Sequence, residues 1–156
     1  MNWFKKQAQS SSDVTASILY DEKTFYNQFT QDLDEAEKEV IIESAYITIP
    51  RMRMLKPYFE KLVRKGVQIF IITRYPNEHD DFMAEQSEVG IRYFEGLGVQ
   101  VLLCEGHHRT LSMIDRKLLW EGSLNILSQT HSREFMRRID NRQMTEDLFK
   151  FLKFDQ

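Results

Sequence analysis

The chain contains one cysteine among its 156 residues, so no disulfide can form within it. A chain without disulfides fits a reducing compartment, because disulfides persist mainly in oxidising ones. The basic pair Lys5-Lys6 near the N-terminus is not followed by a long apolar run. We therefore expect no secretory signal peptide and a cytoplasmic location.

Long apolar segments are also missing, since no uncharged apolar run approaches the ~18 residues that a membrane-spanning helix needs. Positive charge is not in excess either: 21 basic and 24 acidic side chains leave a net charge of −3, which excludes a uniformly basic nucleic-acid binder. The charge is uneven, however, with seven basic residues and one acidic residue between Arg51 and Tyr75. That run fits either a solvated helix face or a surface for a phosphate backbone.

The remaining composition is that of a folded protein. The apolar fraction of 42% and the charged fraction of 29% are typical of globular domains. We expect a flexible N-terminal segment over residues 1–14, which is polar and contains three consecutive serines, followed by one domain over residues 15–156. We find no internal repeat.

Hydrophobic periodicity predicts an α/β fold, a mixed and mostly parallel sheet flanked by helices. The expected strands are 16–20 at a sheet edge, 39–47, 67–73, 99–104, 110–114, 117–121 and 134–139. The first expected helix is 21–37, with Asp21 as its cap, and the second ends at Gly66 and starts near Pro50 or only near Lys56. The third runs over about 81–96. The fourth is 141–154, and its expected inward residues are Met144, Leu148, Phe151 and Leu152. The early strand–helix repetition implies parallel strands with right-handed crossovers, and Asp115-Arg116 reads as a tight turn.

Reactive side chains recur at fixed spacing in the second half of the chain. Asp115 lies seven residues after His108, Gly122 seven further, Ser123 and Asn125 follow, and Glu134 lies nine past Asn125. This pattern resembles the HKD signature of the phospholipase D-like phosphodiesterases, His-x-Lys-x4-Asp-x6-Gly-Ser-x-Asn with a later Glu. Every position matches except the lysine, which is Thr110 here. The resemblance covers roughly residues 40–134 and is specific only in its last part.

The resemblance implies a phospholipase D-like domain that cleaves phosphodiesters without a metal or cofactor. His108 would attack phosphorus, because an imidazole with a pKa of about 6.5 is largely unprotonated at neutral pH, and water would then hydrolyse the phosphohistidine. The family's second histidine comes from a second motif copy. This chain has one copy, so the resemblance implies a homodimer that shares its site.

The same resemblance assigns roles to the other motif residues. The expected catalytic set is His108, Asp115, Ser123, Asn125 and Glu134, and the expected phosphate-binding set is Thr110, Gly122, Ser123 and Asn125. Asp115 or Glu134 would orient the imidazole; the position of Glu134 is the usual partner in the family, and the motif Asp is mostly structural.

The lost lysine charge has three candidate replacements, Arg109, His107 and Lys117. On a strand, Arg109 should point away from the face of Thr110. Counting the motif from His107 puts Arg109 on the lysine position but lengthens the gap to Asp115, so we keep the register of His108.

Nucleic acid, and DNA in particular, is the expected substrate. The expected nucleic-acid-binding residues are Arg109, Arg133, Arg137 and Arg138, with Tyr46 and Tyr75 available for base stacking and Trp120 expected in the core. The run 119–128 resembles phospholipase D-like modules attached to helicases and other DNA-processing proteins, which makes such a protein a candidate partner. Without an amphipathic helix to meet a bilayer, phospholipid cleavage is a weaker alternative.

Two further alternatives remain open. Thr110 favours a catalytically impaired domain that binds nucleic acid or a partner protein. Cys104, His107, His108 and His131 are plausible zinc ligands, but their spacing is unusual. We expect Cys104 to be a buried core residue instead.

Overall fold

The computed structural model describes residues 16–156, so the expected flexible segment 1–14 lies outside the described residues. The strands are β1 (Ala16–Asp21), β2 (Glu39–Glu43), β3 (Gln68–Thr73), β4 (Gln100–Leu103), β5 (Leu111–Ile114), β6 (Leu118–Gly122) and β7 (Phe135–Asp140). The helices are α1 (Phe25–Glu35), α2 (Ile49–Arg64), α3 (Asp81–Leu97) and α4 (Arg142–Phe151), with a 3₁₀ turn at Pro76–Glu78. Within residues 16–156, no helix has the length and apolar character needed to span a bilayer.

The strands form one mixed sheet in the order β1-β7-β6-β5-β2-β3-β4. The α/β class and the edge position of β1 are confirmed. The sheet is less parallel than expected: β2–β3 and β3–β4 are parallel, whereas the other four pairs are antiparallel. One reason is the short turn 115–117 between β5 and β6, because a connection of this length can join only antiparallel neighbours.

Side chains alternate between the two faces of the sheet and fill two cores. In β2, Val40 and Ile42 join the larger core, which helices α1, α2 and α3 cover. Ile41 points the other way into the smaller core, where Phe149 of α4 packs. Trp120 is fully buried in the larger core, as expected.

One helix start differs from the sequence expectation, and another decides between the two starts that the sequence left open. Thr24, not Asp21, is the N-cap of α1, because the Asp21 carboxylate accepts hydrogen bonds from the backbone N–H groups of Lys23 and Thr24 and forms a turn. Helix α2 begins at Ile49 and continues through Pro57. Pro50 lies in the first turn, where no N–H partner is needed, and buried residues on both sides of Pro57 hold the helix together.

The closing helix is rotated relative to the expectation. Met144 is 45% exposed and Phe151 is 78% exposed, so neither faces inward. The buried side chains of α4 are Thr145 and Phe149, because Thr145 donates a hydrogen bond to the Lys117 carbonyl while Phe149 packs into the smaller core. Leu148 and Leu152 pack partly against that core, as expected.

Candidate active site

One edge of the sheet gathers most of the motif. Glu43 at the end of β2 pairs with Leu111 at the start of β5, which pairs with Glu121 near the end of β6. The carboxyl ends of β2, β3 and β6 therefore meet the starts of β5 and β7. The residues that flank these strand ends are Tyr46, Arg74, His108, Thr110, Ser123, Asn125 and Glu134. In α/β sheets, ligands commonly bind at the carboxyl ends of the strands.

His108 is exposed at this edge and contacts Arg74. The Arg74 Nη2 atom lies 3.0 Å from His108 Nε2 and also contacts Nδ1. Arg74 Nε donates to the His107 carbonyl at 2.6 Å, and its guanidinium carbon lies 5.3 Å from the Tyr46 ring centroid. These contacts fix a cation beside the proposed nucleophile.

Sequence reasoning did not select Arg74 as a site residue. We counted it only within the basic run after Arg51. Its position in the sequence could have indicated a site residue, because Arg74 directly follows β3, at the carboxyl end of a parallel strand.

Aromatic rings line the edge beside Arg74. The Tyr46 and His79 ring centroids are 4.9 Å apart. Burial lowers the pKa of His79, and the nearby positive charge of Arg74 lowers it further. The neutral ring is therefore the favoured form of His79, which avoids a second cation beside the guanidinium.

Two of the expected phosphate-binding residues contact backbone groups. The Thr110 hydroxyl donates to the Gly122 carbonyl. A Cβ added at Gly122 would lie 2.2 Å from the Phe135 carbonyl oxygen, so β7 requires a glycine there. The close approach at Gly122 is therefore between β6 and β7.

Ser123 and Asn125 connect the motif to neighbouring segments. The Phe135 N–H donates to Ser123 Oγ at 3.1 Å. Asn125 Oδ1 accepts from the Ala45 N–H at 3.2 Å, which fastens it beside the end of β2. No residue of the described part of the chain accepts a hydrogen bond from the Asn125 side-chain nitrogen, so this donor is available to a ligand.

Asp115 lies at the opposite end of β5 from His108, so the structure does not bring the two together. Its carboxylate accepts hydrogen bonds from the backbone N–H groups of Glu37, Lys38 and Glu39 at 2.9, 2.7 and 3.0 Å. The φ angles of Asp115 and Arg116 are 55° and 52°, which confirms the tight turn. Asp115 therefore joins the loop before β2 to the β5–β6 turn.

Glu134 lies at the same edge as His108 but is engaged elsewhere. Its Oε1 accepts from Ser132 Oγ at 2.7 Å, and its backbone N–H donates to Glu22. Among residues 16–156 no hydrogen bond joins Glu134 to His108, so Arg74 is the described partner of the imidazole.

Glu43 is a second residue that sequence reasoning missed. Its side chain is fully buried, with Oε2 against His107 Nε2 and 2.9 Å from Arg109 Nε. A buried carboxylate requires such partners, because an isolated buried charge is very unfavourable. His107 and Arg109 therefore both contact Glu43, whereas His108 contacts Arg74. Residues 107–110 precede β5, so the strand alternation expected for Arg109 does not apply.

The expected arginine surface is only partly available. Arg138 is mostly buried, and both its Nε and Nη2 donate to the buried Asp32, which occupies it structurally. Arg109 pairs with Glu43, although half of its side chain is exposed. Arg133 and Arg137 are exposed.

Two other expectations fail on geometry. Lys117 is not placed to replace the motif lysine, because it pairs with Asp140 at 3.6 Å at the far end of β6. Cys104 is exposed rather than buried, because it follows the edge strand β4. Across residues 16–156, no group of three or more His, Cys, Asp or Glu side chains is arranged to hold a metal ion.

A family model described as cardiolipin synthase, PLD-like domain, matches residues 29–153. The chain belongs to this phospholipase D-like family. No curated protein matches the chain. The match includes the whole motif from His108 to Glu134.

Solved structures share the phospholipase D-like fold. NucT from Helicobacter pylori is 18% identical, with a TM-score of 0.71 over 88% of this chain and 92% of that one. Nuc from Salmonella typhimurium, a phospholipase D family member, is 13% identical, with a TM-score of 0.71 over 88% and 91%. TrmBL2, an archaeal chromatin protein with a novel mode of DNA binding, is 15% identical, with a TM-score of 0.60 over 94% and 54%. At these identities the likeness shows the fold alone.

Proposed function

We propose that the chain is a metal-independent phosphodiesterase that cleaves nucleic acid, with DNA as its substrate, through a phosphohistidine at His108. The observation that carries the proposal is the exposed His108 ring beside the fixed guanidinium of Arg74. The free amide donor of Asn125 lies at the same sheet edge. A nucleophile, a cation and a neutral donor are what a phosphodiester anion requires in the absence of a metal.

The reaction proceeds in two displacements. An imidazole nitrogen of His108 attacks phosphorus, and the bond from phosphorus to the leaving oxygen breaks as a general acid protonates that oxygen. Water then attacks the same phosphorus and breaks the phosphorus–nitrogen bond. The group that gave its proton removes one from this water, so His108 is regenerated and a phosphate monoester is released.

A second copy of the chain supplies the general acid in this proposal. The described residues place no other histidine in hydrogen-bond contact with His108, while His107 is buried against Glu43. A two-fold axis at the sheet edge would bring His108 of each copy to one phosphate. Sedimentation should therefore show two chains per particle, and a clean monomer at high concentration would contradict the shared site.

Nucleic acid suits the surface near the site. Arg133 and Arg137 are exposed at the start of β7 and offer charges for a phosphate backbone. Tyr75 is 43% exposed next to Arg74 and could stack a base. The chromatin protein TrmBL2, which shares the fold, binds DNA, and this supports the same class of ligand here.

Cleavage of single- and double-stranded DNA at low salt, with excess chelator, tests the proposal. The wild-type protein should cleave and His108→Ala should not, because removal of the nucleophile leaves no route to the covalent intermediate. His131→Ala is the matched control, since His131 is an exposed histidine outside the proposed mechanism. Cleavage that survives His108→Ala, or that requires a metal, would refute the proposal.

The second candidate is a catalytically impaired domain that binds nucleic acid or a partner protein. Thr110 favours this candidate, because its hydroxyl donates a hydrogen bond to the Gly122 carbonyl and the lysine position of the motif carries no charge. In that case neither wild type nor His108→Ala would cleave DNA, while both would bind it in a salt-dependent manner.

A further inference from the structure

The motif's lysine position lacks a charge, yet the site does not lack a cation. Thr110 occupies that position, and its hydroxyl donates a hydrogen bond to the Gly122 carbonyl. Arg109 pairs with the buried Glu43, and Lys117 lies with Asp140 at the far end of β6. Within residues 16–156, Arg74 is the cation in contact with His108.

We propose that Arg74 is the phosphate-binding cation of this site and that it holds the His108 ring until a phosphate arrives. This inference rests on the proposed function. Arginine donates hydrogen bonds and accepts none. A ring nitrogen that accepts from Arg74 Nη2 therefore engages its lone pair, and attack on phosphorus needs that same lone pair.

A bound phosphate offers Arg74 a better partner than the imidazole. Guanidinium donates a charge-assisted hydrogen bond to either partner, but phosphate also carries negative charge and can accept two parallel N–H bonds, whereas a neutral imidazole offers one lone pair. Arg74 can change partners without leaving the site, because its Nε remains on the His107 carbonyl and its guanidinium on Tyr46. Substrate binding and release of the nucleophile's lone pair are thereby coupled.

The geometry of the edge supports this exchange. His108 is exposed, so a phosphate can reach the ring from solvent. Asn125 supplies an unused donor at the same edge, fastened through its other atom to Ala45. The phosphate would then sit between one fixed cation and one fixed neutral donor, as electrostatic stabilisation of a developing charge requires.

Titration with inorganic phosphate tests the binding role. The backbone and ring signals of residues 107–109 should shift and saturate in NMR spectra, with chloride at equal ionic strength as reference. Arg74→Gln should weaken phosphate binding by about 10- to 100-fold, because one charge-assisted contact is lost. Arg92→Gln removes an equal charge from an exposed position on α3, and this variant should bind phosphate as wild type does.

Restoring a charge at the motif position gives the decisive variant. Adding Thr110→Lys to Arg74→Gln should recover much of the lost phosphate affinity, because it places a cation where the motif has one. Equal binding by wild type and Arg74→Gln would overturn the inference. An equal loss in Arg92→Gln would also overturn it, since the effect would then be one of general charge.

Chemical modification tests the contact between Arg74 and the His108 ring. Without phosphate, diethyl pyrocarbonate should modify His108 several-fold faster in Arg74→Gln than in wild type, because the lone pair is no longer engaged. The exposed His131 is an internal reference in the same peptide-mass measurement. An unchanged ratio of His108 to His131 modification would contradict the resting contact.

The inference and the proposed function can fail separately. DNA cleavage that needs His108 but is indifferent to Arg74→Gln would overturn the inference and leave the function intact. If phosphate binding depends on Arg74 but the protein cleaves no DNA, Arg74 is the phosphate-binding cation and the proposed nuclease activity is contradicted.

Discussion

At the level of single residues, the motif divides into two kinds of side chain. Asp115, Thr110 and Gly122 are engaged with backbone groups and shape the sheet. His108 is exposed at the sheet edge beside Arg74, and Asn125 keeps its side-chain nitrogen available there. A catalytic motif in sequence therefore encodes the local fold as well as the chemistry.

Asp115→Asn should lower stability and leave the turnover rate of the folded protein nearly unchanged. The amide keeps one acceptor oxygen and tolerates the left-handed φ, but it loses the charge that accepts three backbone N–H groups. We expect a loss of about 2 kcal/mol in the free energy of unfolding by urea. A large fall in kcat with unchanged stability would show instead that Asp115 acts in catalysis.

At the level of elements, one buried carboxylate ties α1 to the sheet. Asp32 accepts from Trp120 Nε1 of β6, and from Arg138 of β7 through two nitrogens. The hydrogen bonds and charge of Asp32 raise the pKa of Arg138, so the guanidinium stays charged throughout the ordinary pH range.

Asp32→Asn should destabilise the protein by about 3–5 kcal/mol, because Arg138 would remain mostly buried without its counter-charge. Asp34→Asn is the matched control on the same helix. Asp34 meets Lys61 at 3.4 Å at the surface, where such pairs contribute about 0–1 kcal/mol. Equal losses for the two variants, measured by urea unfolding, would contradict the structural role of Asp32.

The sequence predicted the type of every strand and helix within residues 16–156, and most bounds to within a few residues. Apolar periodicity carries that information locally. It did not predict the rotation of α4, because Phe149 packs into a core that strands far along the chain build. It also missed Arg74 beside His108 and Glu43 beside His107, since these contacts join segments that only the sheet order brings together.

At the level of the whole molecule, the sheet brings the candidate site residues to one edge and leaves the opposite end to structural contacts. The exposed edge holds His108, Arg74 and Asn125, whereas the far end holds the Asp115 turn. Asp115 is therefore placed to hold the fold together, while any chemistry belongs to the edge that carries His108.

The most direct measurement is the intact mass of the protein after rapid denaturation during turnover of a short DNA substrate. We predict an added mass equal to the phosphate-bearing fragment, mapped to His108 by peptide sequencing and absent from His108→Ala. Cleavage that proceeds with no adduct on the chain, or with the adduct on another residue, would contradict a phosphohistidine at His108.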